Sequence, residues 1–175
     1  YAAAVDMQEP FYHVYGGTQD NGSWGGPVGT RFSDGVSNED WIFTAGGDGF
    51  HSQVDPTNPD IIYAESQYGV LYRMDRGTGE RRRIQPWQPQ EGERAPYRWN
   101  WSAPLLISPH DPRTLYFAAN VVFRSPDRGD SWQVISPDLT RGISRDSLPL
   151  QGRIQPAGAI DLHASTALYG NVSTL

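Results

Sequence analysis

Cysteine and lysine are both absent from this chain of 175 residues. Without thiols there are no disulfides, no thiolate nucleophile and no Cys-ligated zinc. Without an ε-amine there is no Schiff-base chemistry and no P-loop. The 14 cationic residues are therefore all arginines, set against 20 Asp and Glu for a net charge of -6. That balance argues against a nucleic-acid-binding face, which needs concentrated positive charge. No apolar run approaches the ~20 residues of a membrane-spanning helix. Tyr1 to Val5 holds neither an initiator Met nor a basic stretch leading into an apolar one, so no leader is read there. Both ends read as cut, because 168–175 alternates like a strand and then stops. Stretches free of helix breakers are also scarce, and only 159–169 is long enough for a helix.

Turn formers and aromatics fill the space. The chain has 19 Gly and 14 Pro, together with 6 Trp, 9 Tyr and 6 Phe. Disordered segments are poor in aromatics, so this composition describes a folded, loop-rich protein of one ordinary domain length.

An internal repeat organises it. Val54-Asp55-Pro56-Thr57-Asn58-Pro59-Asp60-Ile61-Ile62-Tyr63 aligns with Ile107-Ser108-Pro109-His110-Asp111-Pro112-Arg113-Thr114-Leu115-Tyr116, an offset of 53 residues. Further on, Met74-Asp75-Arg76-Gly77 matches Pro126-Asp127-Arg128-Gly129, and Ile84-Gln85-Pro86 answers Ile135-Ser136-Pro137. A period near 50 made of short apolar runs between turns is the mark of propeller blades rather than of helical arrays. Each copy divides into four strand-sized pieces: 50–54, 61–65, 70–74 and 82–84 in the first, and 105–108, 114–119, 121–124 and 132–135 in the second. Pro and Gly between the pieces forbid helix. The expected fold is all-β, with antiparallel four-stranded blades of an incomplete β-propeller. Its expected divisions are 1–40 as the outer strands of a preceding blade, 41–89 and 90–140 as two blades, and 141–175 as an insertion followed by the first strand of another blade.

A short motif recurs within this frame. Ser125-Pro126-Asp127-Arg128-Gly129-Asp130-Ser131-Trp132 fits Ser-x-Asp-x-Gly-x-Ser/Thr-Trp, and Thr18-Gln19-Asp20-Asn21-Gly22-Ser23-Trp24 repeats it one residue shorter. Asp accepts N–H groups across a tight turn, Gly takes a positive φ, and Trp packs back on the sheet. On these residues the chain resembles the Asp-box, or BNR-repeat, propellers, which include sialidases, sortilin-type receptor domains and xyloglucan-active tandem propellers. With Gly46-Gly47-Asp48-Gly49-Phe50-His51 and Tyr97-Arg98-Trp99-Asn100-Trp101 added, it is most similar to the sortilin-like bacterial proteins labelled glycosyl hydrolases, from about Phe11 to Leu175. The resemblance implies a bacterial protein that is exported, whether periplasmic, cell-surface or secreted. It makes Asp20, Gly22, Trp24, Asp127, Gly129 and Trp132 structural, since Asp boxes sit on outer hairpins remote from the central channel. Fold does not fix activity.

The candidate site lies elsewhere. The segment 46–51 enters the first strand of a repeat, the strand that would line a channel, so its residues would face a ligand. Asp48 and His51, three apart, suit an acid and base pair or a metal, or equally an Asp closing a Gly turn beside a satisfied His. No metal set or cofactor is evident. No second carboxylate is fixed at glycosidase distance, although Asp40, Glu65 and Asp161 are available. Alternation puts Tyr97, Trp99 and Trp101 on one face of a strand, where they would either stack on a glycan or peptide or fill the core between blades. Arg81-Arg82-Arg83 reads as a solvated edge that discourages strand pairing. The expected role is ligand or protein recognition, or scaffolding, with the rest of a propeller or other chains as partners. The alternatives are a glycoside hydrolase using Asp48, sialidase-like or glucan-active, and a structural subunit of a larger assembly.

Overall fold

The computed structural model describes residues 2–88, 97–160, 162 and 169–175. Its twelve described strands form three antiparallel sheets of four strands, each an up-and-down meander taken in chain order. Sheet one comprises β1 (Ala3–Val5), β2 (His13–Thr18), β3 (Gly22–Pro27) and β4 (Ile42–Ala45). Sheet two comprises β5 (Ser52–Asp55), β6 (Asn58–Ser66), β7 (Val70–Asp75) and β8 (Arg81–Arg83). Sheet three comprises β9 (Leu105–Ile107), β10 (Leu115–Ala118), β11 (Val122–Ser125) and β12 (Gln133–Val134). Helix is confined to three short 3-10 turns among the described residues.

The repeat therefore maps onto sheets two and three strand for strand, but two boundaries differ from expectation. Ile42–Ala45 pairs with β3, Trp24 opposite Phe43 and Gly25 opposite Ile42, so residue 41 does not open the second unit. Sheet one is a full four-stranded meander rather than the outer strands alone. At the other end, residues 169–175 form no strand. Most of the expected helix at 159–169 lies outside the described residues.

Local chemistry fixes the turns. In sheet two, Asp55 Oδ1 accepts the N–H groups of Thr57 and Asn58 at 2.8 and 3.2 Å. Fifty-three residues on, Ser108 Oγ accepts those of His110 and Asp111 at 3.2 and 3.4 Å. Both side chains close the link from the first strand to the second. Sheet two is covered on both faces, which explains the unbroken apolar run Ile61-Ile62-Tyr63-Ala64 in β6. Tyr63 and Leu71 turn toward sheet three and form one core with Leu105, Leu115, Phe117 and Phe123. On the other face Ile62, fully buried, turns toward sheet one. There the sheets approach closely: a Cβ on Gly17 would lie 2.1 Å from the Gly49 carbonyl carbon, so only glycine fits.

The first strands of the three sheets run side by side, β5 between β1 and β9. Gln53 of β5 joins it to β9 as a strand would. Its Nε2 donates to the Leu105 carbonyl at 2.6 Å, and its Oε1 accepts the Ile107 N–H at 3.1 Å.

Candidate functional site

Antiparallel meanders put the β2–β3, β6–β7 and β10–β11 turns at the same end as the links between sheets. Asp48, His51, Tyr97, Trp99 and Trp101 all belong to those links, so the sequence reading brings them to one end of the sheets. Their side chains then go to different tasks.

Asp48 is buried and closes a turn. Its Oδ1 accepts the Asp20 N–H at 2.8 Å, and its own N–H donates to Gln67 Oε1 at 2.9 Å. Gly49 N–H adds a bond to the Thr18 carbonyl at 3.0 Å. The carboxylate thus ties the β2–β3 turn to sheet two, beside a shallow depression of about 430 Å³. His51 is half-buried, and burial lowers its pKa, which favours the neutral ring. It is the His51 carbonyl, accepting Glu65 N–H at 2.9 Å, that serves the sheet.

Tyr97 and Trp99 are core residues. Residues 97–101 are irregular rather than a strand, yet Tyr97 meets Phe123 edge-on at 4.8 Å and Trp99 stacks on Phe123 at 5.6 Å. Their ring area fills the space between sheets two and three, so neither is open to a ligand. Trp101 is the exception. It is half-buried and packs edge-on against Phe50 at 6.0 Å and Tyr68 at 5.0 Å, and Tyr68 is exposed.

The two expected Asp boxes prove unequal. Asp127 lies on the turn between β11 and β12. Its Oδ1 accepts from Ser131 N–H at 2.8 Å and Ser125 Oγ at 2.9 Å, and its Oδ2 from Ser131 Oγ at 2.5 Å. Slight desolvation, which alone raises a carboxyl pKa, is outweighed by these donors, and Asp127 is held below the ordinary range. Trp132 reaches across to sheet two, its Nε1 donating to the Ile84 carbonyl at 2.6 Å. Gly129, at φ +90°, lies where a Cβ would meet Ile84. The motif at Asp20 lies instead on the turn between the second and third strands. The Asp20 carboxylate accepts no hydrogen bond among the described residues, Gly22 has φ +72°, and Trp24 Nε1 donates to the Asn21 carbonyl at 2.7 Å with its ring exposed. A shared consensus thus marks two different turns, and at the first the acceptor is Asp48.

Sequence reading missed a repeated arginine clamp. Arg76 and Arg128 occupy the Asp-Arg-Gly turns of sheets two and three, and each reaches back one sheet. Arg128 Nε donates to Asp55 Oδ2 at 2.8 Å, and Arg76 contacts Tyr15 Oη at 3.2 Å, Gln8 Oε1 at 3.0 Å and Asp6 Oδ2 at 3.5 Å. Their backbone N–H groups make matching bonds, to the carbonyls of Arg113 and Asp60, both at 2.8 Å. Burial would raise the Asp55 pKa, but Thr57 and Arg128 more than offset it and the carboxyl stays ionised. Burial pushes Tyr15 up to about 12 despite Arg76 beside it. The recurrence of Arg at one place in the aligned repeat was the available signal.

Glu65, one of three spare carboxylates in the sequence, is fully buried. Its Oε1 accepts the Ala103 N–H at 2.5 Å, and Oε2 has no partner among the described residues. Burial drives its pKa well above the usual value, against the Ala103 and His51 N–H groups. Asp40 caps a 3-10 turn through the Ser37 N–H, and Asp161 lies outside the described residues. Among the described residues no three His, Asp or Glu side chains converge to hold a metal ion, and no helix is long and apolar enough to cross a membrane. In comparison with known proteins, no family model and no curated protein matches the chain.

Proposed function

We propose that the chain forms three consecutive blades of an exported, Asp-box-type β-propeller and serves recognition or scaffolding, docking another β-sheet on its uncovered face. The observation that carries this reading is the outer face of sheet one. One face of that sheet packs on sheet two through Tyr15, which is fully buried. The opposite face carries Val5, Trp24, Trp41 and Phe43 at 43%, 41%, 42% and 40% exposure. Trp24 meets Phe43 edge-on at 5.1 Å, and the Trp41 indole lies where a Cβ on Gly26 would project. Arg81 reaches the Phe43 ring from the sheet edge, at 5.4 Å.

Scattered exposed aromatics are ordinary, but a sheet face holding two indoles and a phenyl ring together is a binding surface. The occupant proposed is a further four-stranded sheet, from the rest of the propeller or from another chain, because both existing sheet junctions are made face to face in this way. The hydrolase alternative gains nothing from Asp48, whose carboxylate serves a turn, or from Glu65, which solvent does not reach.

Sedimentation velocity tests the reading. The chain should associate reversibly as concentration rises. Trp24→Ser with Trp41→Ser should return it to a monomer that still melts cooperatively. A wild type that stays monomeric at all concentrations, or association unchanged in the double variant, would overturn the proposal.

A further inference from the structure

A tyrosine recurs on the second strand of every sheet, directed at the sheet that follows. Tyr15 of β2 turns toward sheet two and Tyr63 of β6 toward sheet three, and both are fully buried. The aligned residue of β10 is Tyr116. Its neighbours Leu115 and Phe117 enter the core shared with sheet two, so alternation turns Tyr116 to the opposite face, where it is only half-buried. Arg124 stands opposite Tyr116 as Arg73 stands opposite Tyr63, and Leu106 continues the row at 40% exposure. Arg73 binds the next sheet, its Nη1 donating to the Arg128 carbonyl at 2.8 Å and its Nη2 to Asp130 Oδ1 at 3.1 Å. Sheet three thus repeats the side chains with which sheet two meets its successor.

The arginine clamp shows which sheet fits there. It joins a carboxylate at the end of one sheet's first strand, Asp6 or Asp55, to an arginine of the next sheet, Arg76 or Arg128. Matching backbone bonds mark the arginine position in all three sheets. The Arg76 and Arg128 N–H groups donate to the Asp60 and Arg113 carbonyls at 2.8 Å, and the Val28 N–H donates to the Tyr12 carbonyl at 3.0 Å. Sheet one therefore carries Val28 where the others carry arginine, and sheet three carries Ser108 where the others carry aspartate. The donor is missing on one open face and the acceptor on the other. A sheet of the Asp6 or Asp55 kind laid on sheet one would set a desolvated carboxylate against Val28, and an arginine-bearing sheet laid on sheet three would set a guanidinium against Ser108. Unpaired charges of that kind oppose docking. The open faces of this chain fit each other without one.

We propose that sheet three of one copy docks head to tail on the outer face of sheet one of a second copy, with Ser108 meeting Val28. The inference rests on the docking reading above and names its occupant. Stacked first strand on first strand, as in the existing junctions, the row Leu106–Tyr116–Arg124 meets the row Ala3–Gly16–Trp24 of sheet one. Bulky side chains then face small ones, and a guanidinium faces an indole. Head-to-tail contacts close a ring when the rotation permits, and propellers hold about four to eight sheets. With three sheets per copy, a pair of copies falls within that range and a trio does not.

Sedimentation with paired variants tests this. Trp24→Ser with Trp41→Ser blocks the sheet-one face, and Leu106→Asp with Arg124→Glu blocks the sheet-three face. Each double variant alone should be a 19.5 kDa monomer that melts cooperatively, and an equimolar mixture should form a dimer, because one intact face of each kind remains. The wild type should stop at the dimer. Ser108→Asp, in a chain with neither block, should weaken association about tenfold or more by setting an unpaired carboxylate in the junction. Val28→Arg added to it should restore association by rebuilding the clamp. A sheet-three variant that still associates, while the sheet-one variant does not, would overturn the head-to-tail pairing and leave the docking reading standing. A wild type that stays monomeric would overturn both. A mixture that fails to associate, growth beyond the dimer, or no rescue by Val28→Arg would each overturn the inference alone.

Discussion

Replacing Glu65 by Gln should make the protein more stable as pH rises, and the size of the gain can be worked from the surroundings of the side chain. Glu65 is fully buried on β6, with one oxygen on the Ala103 N–H and the other unpartnered among the described residues. Burial raises its folded pKa well above the unfolded value. An acid of that kind contributes its full stability below its unfolded pKa, about 4.3, where the carboxyl is protonated in both states. As pH climbs, the unfolded chain releases the proton while the folded chain retains it, and stability falls by up to about 1.4 kcal/mol per pH unit until the folded pKa is reached. Gln keeps the oxygen that serves Ala103 and carries no proton to release. In urea titrations at a series of pH values, the two proteins should agree within about 1 kcal/mol below pH 4, as expected for a conservative exchange that keeps the hydrogen bond. Their difference should then grow in favour of Glu65→Gln and level off, the onset of the plateau marking the folded pKa. Groups common to both, such as His51 with its lowered pKa, cancel in the difference. Parallel curves across the whole range would refute the argument, because Glu65 would then titrate alike in both states.

Further substitutions follow from the packing. Asp127→Ala removes the acceptor for Ser131 and Ser125 and should cost about 1–2 kcal/mol; since the Asp127 pKa is depressed, the loss relative to wild type should be full at neutral pH and shrink as pH falls through the folded pKa. Arg128→Ala withdraws the charged donor from the buried Asp55 and should cost about 2–3 kcal/mol by chemical denaturation, whereas removal of the exposed Arg83 should change stability by less than about 0.5 kcal/mol. Gly17→Ala puts a methyl group 2.1 Å from the Gly49 backbone and should cost at least about 3 kcal/mol through overpacking of backbone that cannot yield, seen as a large fall in melting temperature.

Sheets two and three were legible in the sequence because both carry the Pro-x-Asn/Asp-Pro turn and end in the Asp-Arg-Gly turn, a repeat that survives in local chemistry. Sheet one lacks that turn. Its first link is closed by Asp6, whose Oδ1 accepts the Gln8 and His13 N–H groups at 3.1 and 2.8 Å, a bond spanning seven residues that leaves no spacing signature, so a full sheet reads as outer strands alone. Asp48 invited a functional reading as the lone charge in a glycine loop. The donor it serves belongs to Asp20, 28 residues away, and only the folded chain puts the two together. Tyr97 and Trp99 alternate as a strand would, yet their rings lodge between sheets from an irregular link. Alternation reports a shared direction, and the neighbouring sheet decides whether that direction is core or solvent.

The claim that this chain recognises or scaffolds rather than cleaves meets its most direct test in a turnover assay. Wild-type protein and Asp48→Asn are incubated with a panel of α- and β-linked glycans, and new reducing ends are measured. The account predicts no release by either protein, with Asp48→Asn still folded because Asn can accept the Asp20 N–H as Asp48 does. Turnover by the wild type that disappears in Asp48→Asn would contradict it.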